Sequence, residues 1–151
     1  GGSVITLDQV ETRDNLRVVS DIGSRLPIYC TSQGKVFLAH MSRTSAEALL
    51  RAQHMTQFTP HTITDLTALM QEIDLCRANG YAIENGEYKI GLRSISAPVY
   101  TVEGKARYTV GVIGMFRSTR SDEFLAAVEQ VCATASMIST ALGYRKTEEL
   151  L

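Results

Sequence analysis

The chain has little of what would assign a fold or an activity at a glance. It holds only three cysteines, Cys30, Cys76 and Cys132, far apart and odd in number, which argues against a disulfide framework and against a CxxC metal knuckle. Reduced, buried thiols are the expectation. Three prolines stand singly, and no repeat, low-complexity tract or Pro/Ser-rich linker appears, so the 151 residues read as one compact domain. No apolar run approaches the roughly 20 residues of a spanning helix. The start, GGSVITLDQVE, lacks the basic region and long apolar core of a secretory leader, so a cytoplasmic setting without membrane contact is expected. An excess of one charge is missing too. Lys and Arg total 15 against 16 Asp and Glu, and a formal net charge of −1 gives no field that would draw this segment onto a polyanion.

What is present is a mixed pattern of helices and strands. SVITLDQVE alternates Val4, Thr6 and Asp8 with Ile5, Leu7 and Gln9, and NLRVVSD is short and β-branched, predicting two early strands joined around TRD. A helix is expected over Gln33 to Met41 with Thr31 or Ser32 as cap, and a second over RTSAEALLRAQ. HMTQFTPHTIT reads as a loop around Pro60. A third helix starts with Thr64 as cap and Asp65 at the positive end, and runs to Asn79-Gly80. YAIE begins a strand. LRSISAPVYTV and ARYTVGVIGMF, joined by EGK, form a hairpin in which Leu92, Ser94 and Ser96 lie opposite Arg93, Ile95 and Ala97. A long helix from Ser121 to Gly143 should bury Phe124, Leu125, Val128, Cys132, Ala135, Ile138 and Leu142. The fold class is therefore α+β around a mainly antiparallel sheet.

Several stretches invite chemistry. SQGK has Tyr29 and Val36 where a Walker phosphate loop needs a glycine and a hydroxyl, so nucleotide hydrolysis is not supported. Helix-start amides from Ser32 to Lys35 could still meet an anion. Cys30 precedes a helix N-terminus, a setting that activates a thiol, but nothing places His40, His54 or His61 beside it; loop packing is the commoner role. The histidines show no paired metal-ligand spacing. Glu84 and Glu87 flank a turn, where a solvated polar turn is commoner than acid/base work. Arg93 could meet an anion, yet alternation puts it on the face opposite Ser94. Ser94, Ser96 and Gly111 together suggest either a cavity or a partly exposed sheet face.

Taken together, GSRLPIYCTSQGKVFLAHM, TITD, GYAIENGEYKIGLRSISAPVYTVEGK and ISTALGYR resemble the effector-binding domain of IclR-family bacterial transcription regulators over nearly the whole chain. The matching positions are Gly23, Leu26, Pro27, Thr31, Gly34, Lys35, Leu38 and Ala39, then Gly80, Tyr81, Glu87, Gly91, Ala97, Pro98 and Val99. The resemblance implies a GAF-like domain, with a central antiparallel sheet flanked by helices on both faces and a pocket for a small organic acid. It implies a winged helix-turn-helix DNA-binding domain, absent from this chain, and assembly as a homodimer or homotetramer. It implies no catalytic residue, metal or cofactor. The family's pocket positions fall on Ser32, Gln33, Gly34, Glu84, Ser94, Gly111 and Ile113, with Met115 and Leu16 completing the apolar wall. Gly111 and Ile113 stand where the family has serines, which favours a larger or more apolar acid than glyoxylate or pyruvate. DNLRV with Arg17, and the GSRLP loop, resemble the branch that senses aromatic acids such as hydroxybenzoates. An assembly domain without ligand and an enzyme using Cys30 are the alternatives.

Overall fold

The computed structural model describes residues 2–11 and 21–147. In order these form β1 (Ser3–Ile5), β2 (Arg25–Pro27), α1 (Ser32–Ala39), α2 (Arg43–Arg51), α3 (Leu66–Asn79), β3 (Ala82–Asn85), β4 (Arg93–Tyr100), β5 (Ala106–Gly114) and α4 (Asp122–Ala141). The expected hairpin is present: β4 pairs antiparallel with β5, and β3 pairs antiparallel with the other edge of β4. The early strands differ from expectation. β1 is short and pairs with β2, a segment that reads as loop in sequence, while residues 15–20 of NLRVVSD lie outside the described residues. Pro27 suits this place because a strand end tolerates the missing donor.

Helix starts follow local chemistry. The Thr31 hydroxyl accepts from Gly34 N at 3.2 Å and donates to the Pro27 carbonyl at 2.6 Å, so one side chain caps α1 and closes the loop before it. Asp65, rather than Thr64, caps α3 by accepting from Ala68 N at 2.8 Å, and Gly80, at φ 80°, ends that helix in the left-handed conformation. Arg77 near the end of α3 donates to Ala39 O at 3.0 Å and Met41 O at 3.2 Å, satisfying carbonyls at the end of α1.

Helices cover both faces of the sheet. Ile95, Ala97 and Val99 of β4 pack with Phe124, Val128, Val131 and Ala135 of α4, while α1, α2 and α3 build a second core on the opposite face. The buried stripe of α4 is narrower than expected. Leu125, Ile138 and Leu142 are exposed and Cys132 half-buried, while Val131 and Ser139 take the inward positions, because the spacing 124, 128, 131, 135 keeps a single line toward the sheet. Ser139 is buried at no cost in polar pairing: it donates to Ala135 O at 2.7 Å and accepts from Tyr100 N at 2.9 Å. By length and composition alone α4 could cross a membrane; here one side of it forms a core against the sheet.

The second core encloses a charge. Lys35 is fully buried, and its ammonium donates to Glu87 Oε2 at 2.8 Å and to Ile83 O at 3.2 Å, with Glu72 at 3.7 Å. The turn that carries Glu87 is pinned from outside by the loop around Pro60. Thr59 donates to Gly86 O and Thr62 to Glu87 O, both at 2.6 Å. Replacing Lys35 with methionine leaves a buried carboxylate without its counter-charge, so Lys35→Met should cost about 3–5 kcal/mol in urea unfolding. The double variant Lys35→Met/Glu87→Gln should recover most of that loss, since no uncompensated charge remains; no recovery would mean that the pair is not what holds this region.

Candidate functional site

Register assembles the site. Glu84 pairs with Ser94 and Ser94 with Ile113, so these side chains form one row across β3, β4 and β5; Ala82, Ser96 and Gly111 form the next. Both rows face α1, whose first residue reaches between them. Ser32 Oγ lies 2.7 Å from Ser96 Oγ and 2.8 Å from Ser94 Oγ, and Ser94 Oγ lies 3.1 Å from Glu84 Oε2. The rows border an open groove of about 2120 Å³ that runs past β1, α1 and β5. Its lining includes the buried Glu84 and Ser94, the half-buried Gln33, and the exposed Ile113 and Met115.

Glu84 is almost wholly enclosed. Its Oε1 accepts from the backbone amides of Glu87 and Tyr88, and its Oε2 accepts from Ser94. Burial nonetheless raises its pKa, against those hydrogen bonds, which lower it, and with the nearby Glu87 charge adding to the rise. The Ser94 hydroxyl has one proton for two acceptors. While Glu84 is ionised the proton serves Oε2; once Glu84 is protonated, the carboxyl can donate to Ser94 and release that proton toward Ser32. Either way the row stays internally hydrogen-bonded.

Of the sequence-derived site residues, Gln33, Glu84, Ser94, Gly111, Ile113 and Met115 line the groove together. Ser32 and Gly34 do not. The Ser32 hydroxyl is buried beneath the surface in bonds to other serines, and Gly34 is pressed on the backbone: a Cβ there would lie 2.0 Å from Ile28 O. Gly34 N is already taken by Thr31 and Lys35 N by the Thr31 carbonyl, so only the amides of Ser32 and Gln33 meet no acceptor among the described residues. Leu16 and Arg17 lie outside the described residues. Gly111 is also a packing glycine, since a Cβ would approach Ile95 O to 2.3 Å and Ser96 Oγ to 2.4 Å.

Two expectations change, and Cys30 takes the packing role expected of it. Glu84 and Glu87 are not a solvated turn; both are buried, one in the hydroxyl row and one with Lys35. Arg93 binds protein, donating to Asn85 Oδ1 at 2.8 Å and Phe116 O at 2.6 Å. Cys30 is not poised as a nucleophile: it is fully buried, and burial, with Glu87 and Glu84 adding to it, pushes its pKa up to about 12. The sequence also left groove residues unnamed. Arg25, Tyr88 and Lys89 line it, adding cationic groups to its wall. Arg25 stands inside the matched GSRLP segment, the one signal that could have drawn attention to it.

Comparison with known proteins agrees with this architecture. Residues 1–140 match the family model described as the bacterial transcriptional regulator IclR C-terminal domain. The HTH-type transcriptional repressor AllR of Escherichia coli (strain K12) is 28% identical over 145 residues, which is 96% of this chain and 54% of AllR. The chain thus spans about half the length of the curated relatives it matches. A transcriptional regulator of Rhodococcus sp. RHA1 superposes with a TM-score of 0.89 at 28% identity, covering 95% of this chain and 58% of that one. The Thermotoga maritima IclR structure gives 0.84 at 29% identity, covering 95% and 58%. The α+β fold with helices on both sheet faces is the one these regulators share.

Two outcomes test the site chemistry. A raised carboxyl pKa means that the folded chain holds its proton more tightly than the unfolded chain, so Glu84 contributes stability as pH falls from above its folded pKa toward the ordinary carboxyl range. Thermal melts between neutral pH and about pH 5 should show a smaller dependence in Glu84→Gln than in the native chain; equal slopes would mean that Glu84 is not perturbed. Iodoacetamide applied to the folded protein should label the half-buried Cys132 ahead of the buried Cys30 and Cys76, read by peptide mass mapping.

Proposed function

The chain belongs to the IclR family of bacterial transcription regulators, as its C-terminal domain, and on that premise we propose that it senses a small, partly apolar organic acid and controls operator binding by a DNA-binding half. The observation that supports this most is the Glu84–Ser94–Ile113 row, which sets two buried polar side chains beside an apolar wall at the end of a groove bordered by Gln33. The first-turn amide at Gln33, which borders the groove and meets no acceptor among the described residues, suits a carboxylate. Arg25 or Lys89 would offset its charge, and Ser94 would bond a polar substituent. Ile113 and Met115 would cover the apolar part, in place of a hydroxyl that a smaller and more polar acid would require.

The proposal includes no chemistry on the ligand, and the enclosed Cys30 thiol offers none. It includes a cytoplasmic homodimer or homotetramer, whose two-fold symmetry would match a palindromic operator. Regulation then rests on linkage: the acid alters operator affinity only as far as it favours one subunit arrangement over another, typically by about 1–3 kcal/mol.

A thermal-shift screen against aliphatic keto and hydroxy acids, hydroxybenzoates, sugar acids and lactones tests this directly. A true effector at a hundredfold over its Kd should add about 2.7 kcal/mol of stability. Ser94→Ala should weaken that ligand by about tenfold, the worth of one hydrogen bond. Ile113→Ser should weaken an apolar acid by about as much while favouring smaller polar ones. Silence across the panel in a folded sample would favour a domain that only assembles.

A further inference from the structure

The fold treats its two buried glutamates differently. Glu87 has Lys35 Nζ at 2.8 Å, whereas Glu84, 2% exposed, enters no ion pair among the described residues. Every donor to Glu84 is a neutral group: the Glu87 and Tyr88 amides at Oε1 and the Ser94 hydroxyl at Oε2. Glu84 also lines the groove, so a ligand seated at that stretch meets a carboxylate without a counter-charge.

The elements packed around Glu84 do not supply one. Burial raises its pKa, and Glu87 of the turn after β3 adds a like charge. The same turn brings the Tyr88 phenol and the Lys89 ammonium; Lys89 is exposed, as is Arg25 of β2, and solvent screens both cations. Lys35 of α1 is bound to Glu87, and Glu72 of α3 is held toward Lys35 at 3.7 Å. Burial keeps the Cys30 and Cys76 thiols protonated, with pKa values pushed up to about 12 and about 11. Arg93 of β4 is engaged by Asn85 and Phe116. β5 contributes Ile113 and Gly111, neither of which titrates.

The hydrogen bonds around Glu84 serve both of its protonation states. As a carboxylate it accepts from Ser94 at Oε2. As a carboxyl group it keeps both amides on Oε1 and donates from Oε2 to Ser94, whose own proton turns to Ser32. No bond of the row is lost, so the difference between the states is the charge. An anion bound alongside would repel the ionised form where water is excluded, and a single proton removes that repulsion.

Resting on the acid-binding reading above, we propose that the acid enters this site together with one proton, which Glu84 takes up. Affinity for the acid then rises as pH falls, and by linkage the bound acid makes Glu84 hold its proton to higher pH. A sensor of this kind responds jointly to an acid and to acidification.

The probes are benzoate and butyrate, with benzamide and butyramide as uncharged counterparts. They are titrated into the full chain from about pH 5.5 to pH 8, where both acids are largely ionised, and followed at the Glu84 side-chain carboxyl carbon by NMR. With either acid bound, that carbon should titrate at a higher pH than in the free chain. The acids' Kd should rise by up to about tenfold per pH unit above the free-chain midpoint, and the amides' Kd should not rise. Glu84→Gln keeps an acceptor for the two amides and a donor for Ser94, and should bind both acids with a pH-independent Kd, tighter than the native chain at the alkaline end. Should that variant not fold, acid against amide on the native chain decides alone. An acid that binds with a level Kd, or that leaves the Glu84 midpoint in place, would overturn this inference and leave acid sensing intact. Amides that bind where neither acid does, or silence of all four probes at every pH, would overturn both.

Discussion

The ion pair between Lys35 and Glu87 is the constraint around which this domain is arranged. A fully buried ammonium is tolerable only where its charge and its donors are met, and here a carboxylate, a backbone carbonyl and a more distant second carboxylate meet them. Those partners come from β3, the turn after it and α3, so satisfying one side chain fixes α1 against three other parts of the chain. The threonines of the 59–62 loop hold the turn that carries Glu87 by its carbonyls. Loosening any one of these would expose a charge to a medium that cannot solvate it.

That rigidity sets the second polar system. With α1 fixed on the sheet, Ser32 falls between the Ser94 and Ser96 side chains, and Gly34 and Gly111 allow backbones to approach where a methyl group would collide. The outcome is a line of hydroxyls ending in a buried carboxylate that opens on the groove only at Ser94, Glu84 and Gln33. Two carboxylates three residues apart in sequence thus do different work. Glu87 neutralises a cation in the core, whereas Glu84, without one, is left with a pKa raised by burial and with Ser94 as its hydroxyl donor.

Much of this was legible beforehand. The β4–β5 hairpin followed from alternation and from the turn at EGK, α1 and a hydroxyl cap at Thr31 or Ser32 from local hydrogen-bond chemistry, and the shared face of Ser94, Ser96 and Gly111 from the two-residue period of a strand. Six of the named groove residues are brought together. What failed has a common cause. Ser32 and Gly34 stand in the right loop but are used for packing, and Leu125, Ile138 and Leu142 continue an apolar helix while facing away from its core.

The sequence by itself determined the periods and the order of polar and apolar side chains along each element, because these depend on neighbours within a few residues. Tertiary structure alone decided that Glu87 pairs with a lysine 52 positions away, that Glu84 is enclosed with Ser94, and that Cys30 is out of solvent. Each of those depends on which surfaces are removed from water together, and the cost of a buried charge or hydroxyl is decided by partners that no local pattern names.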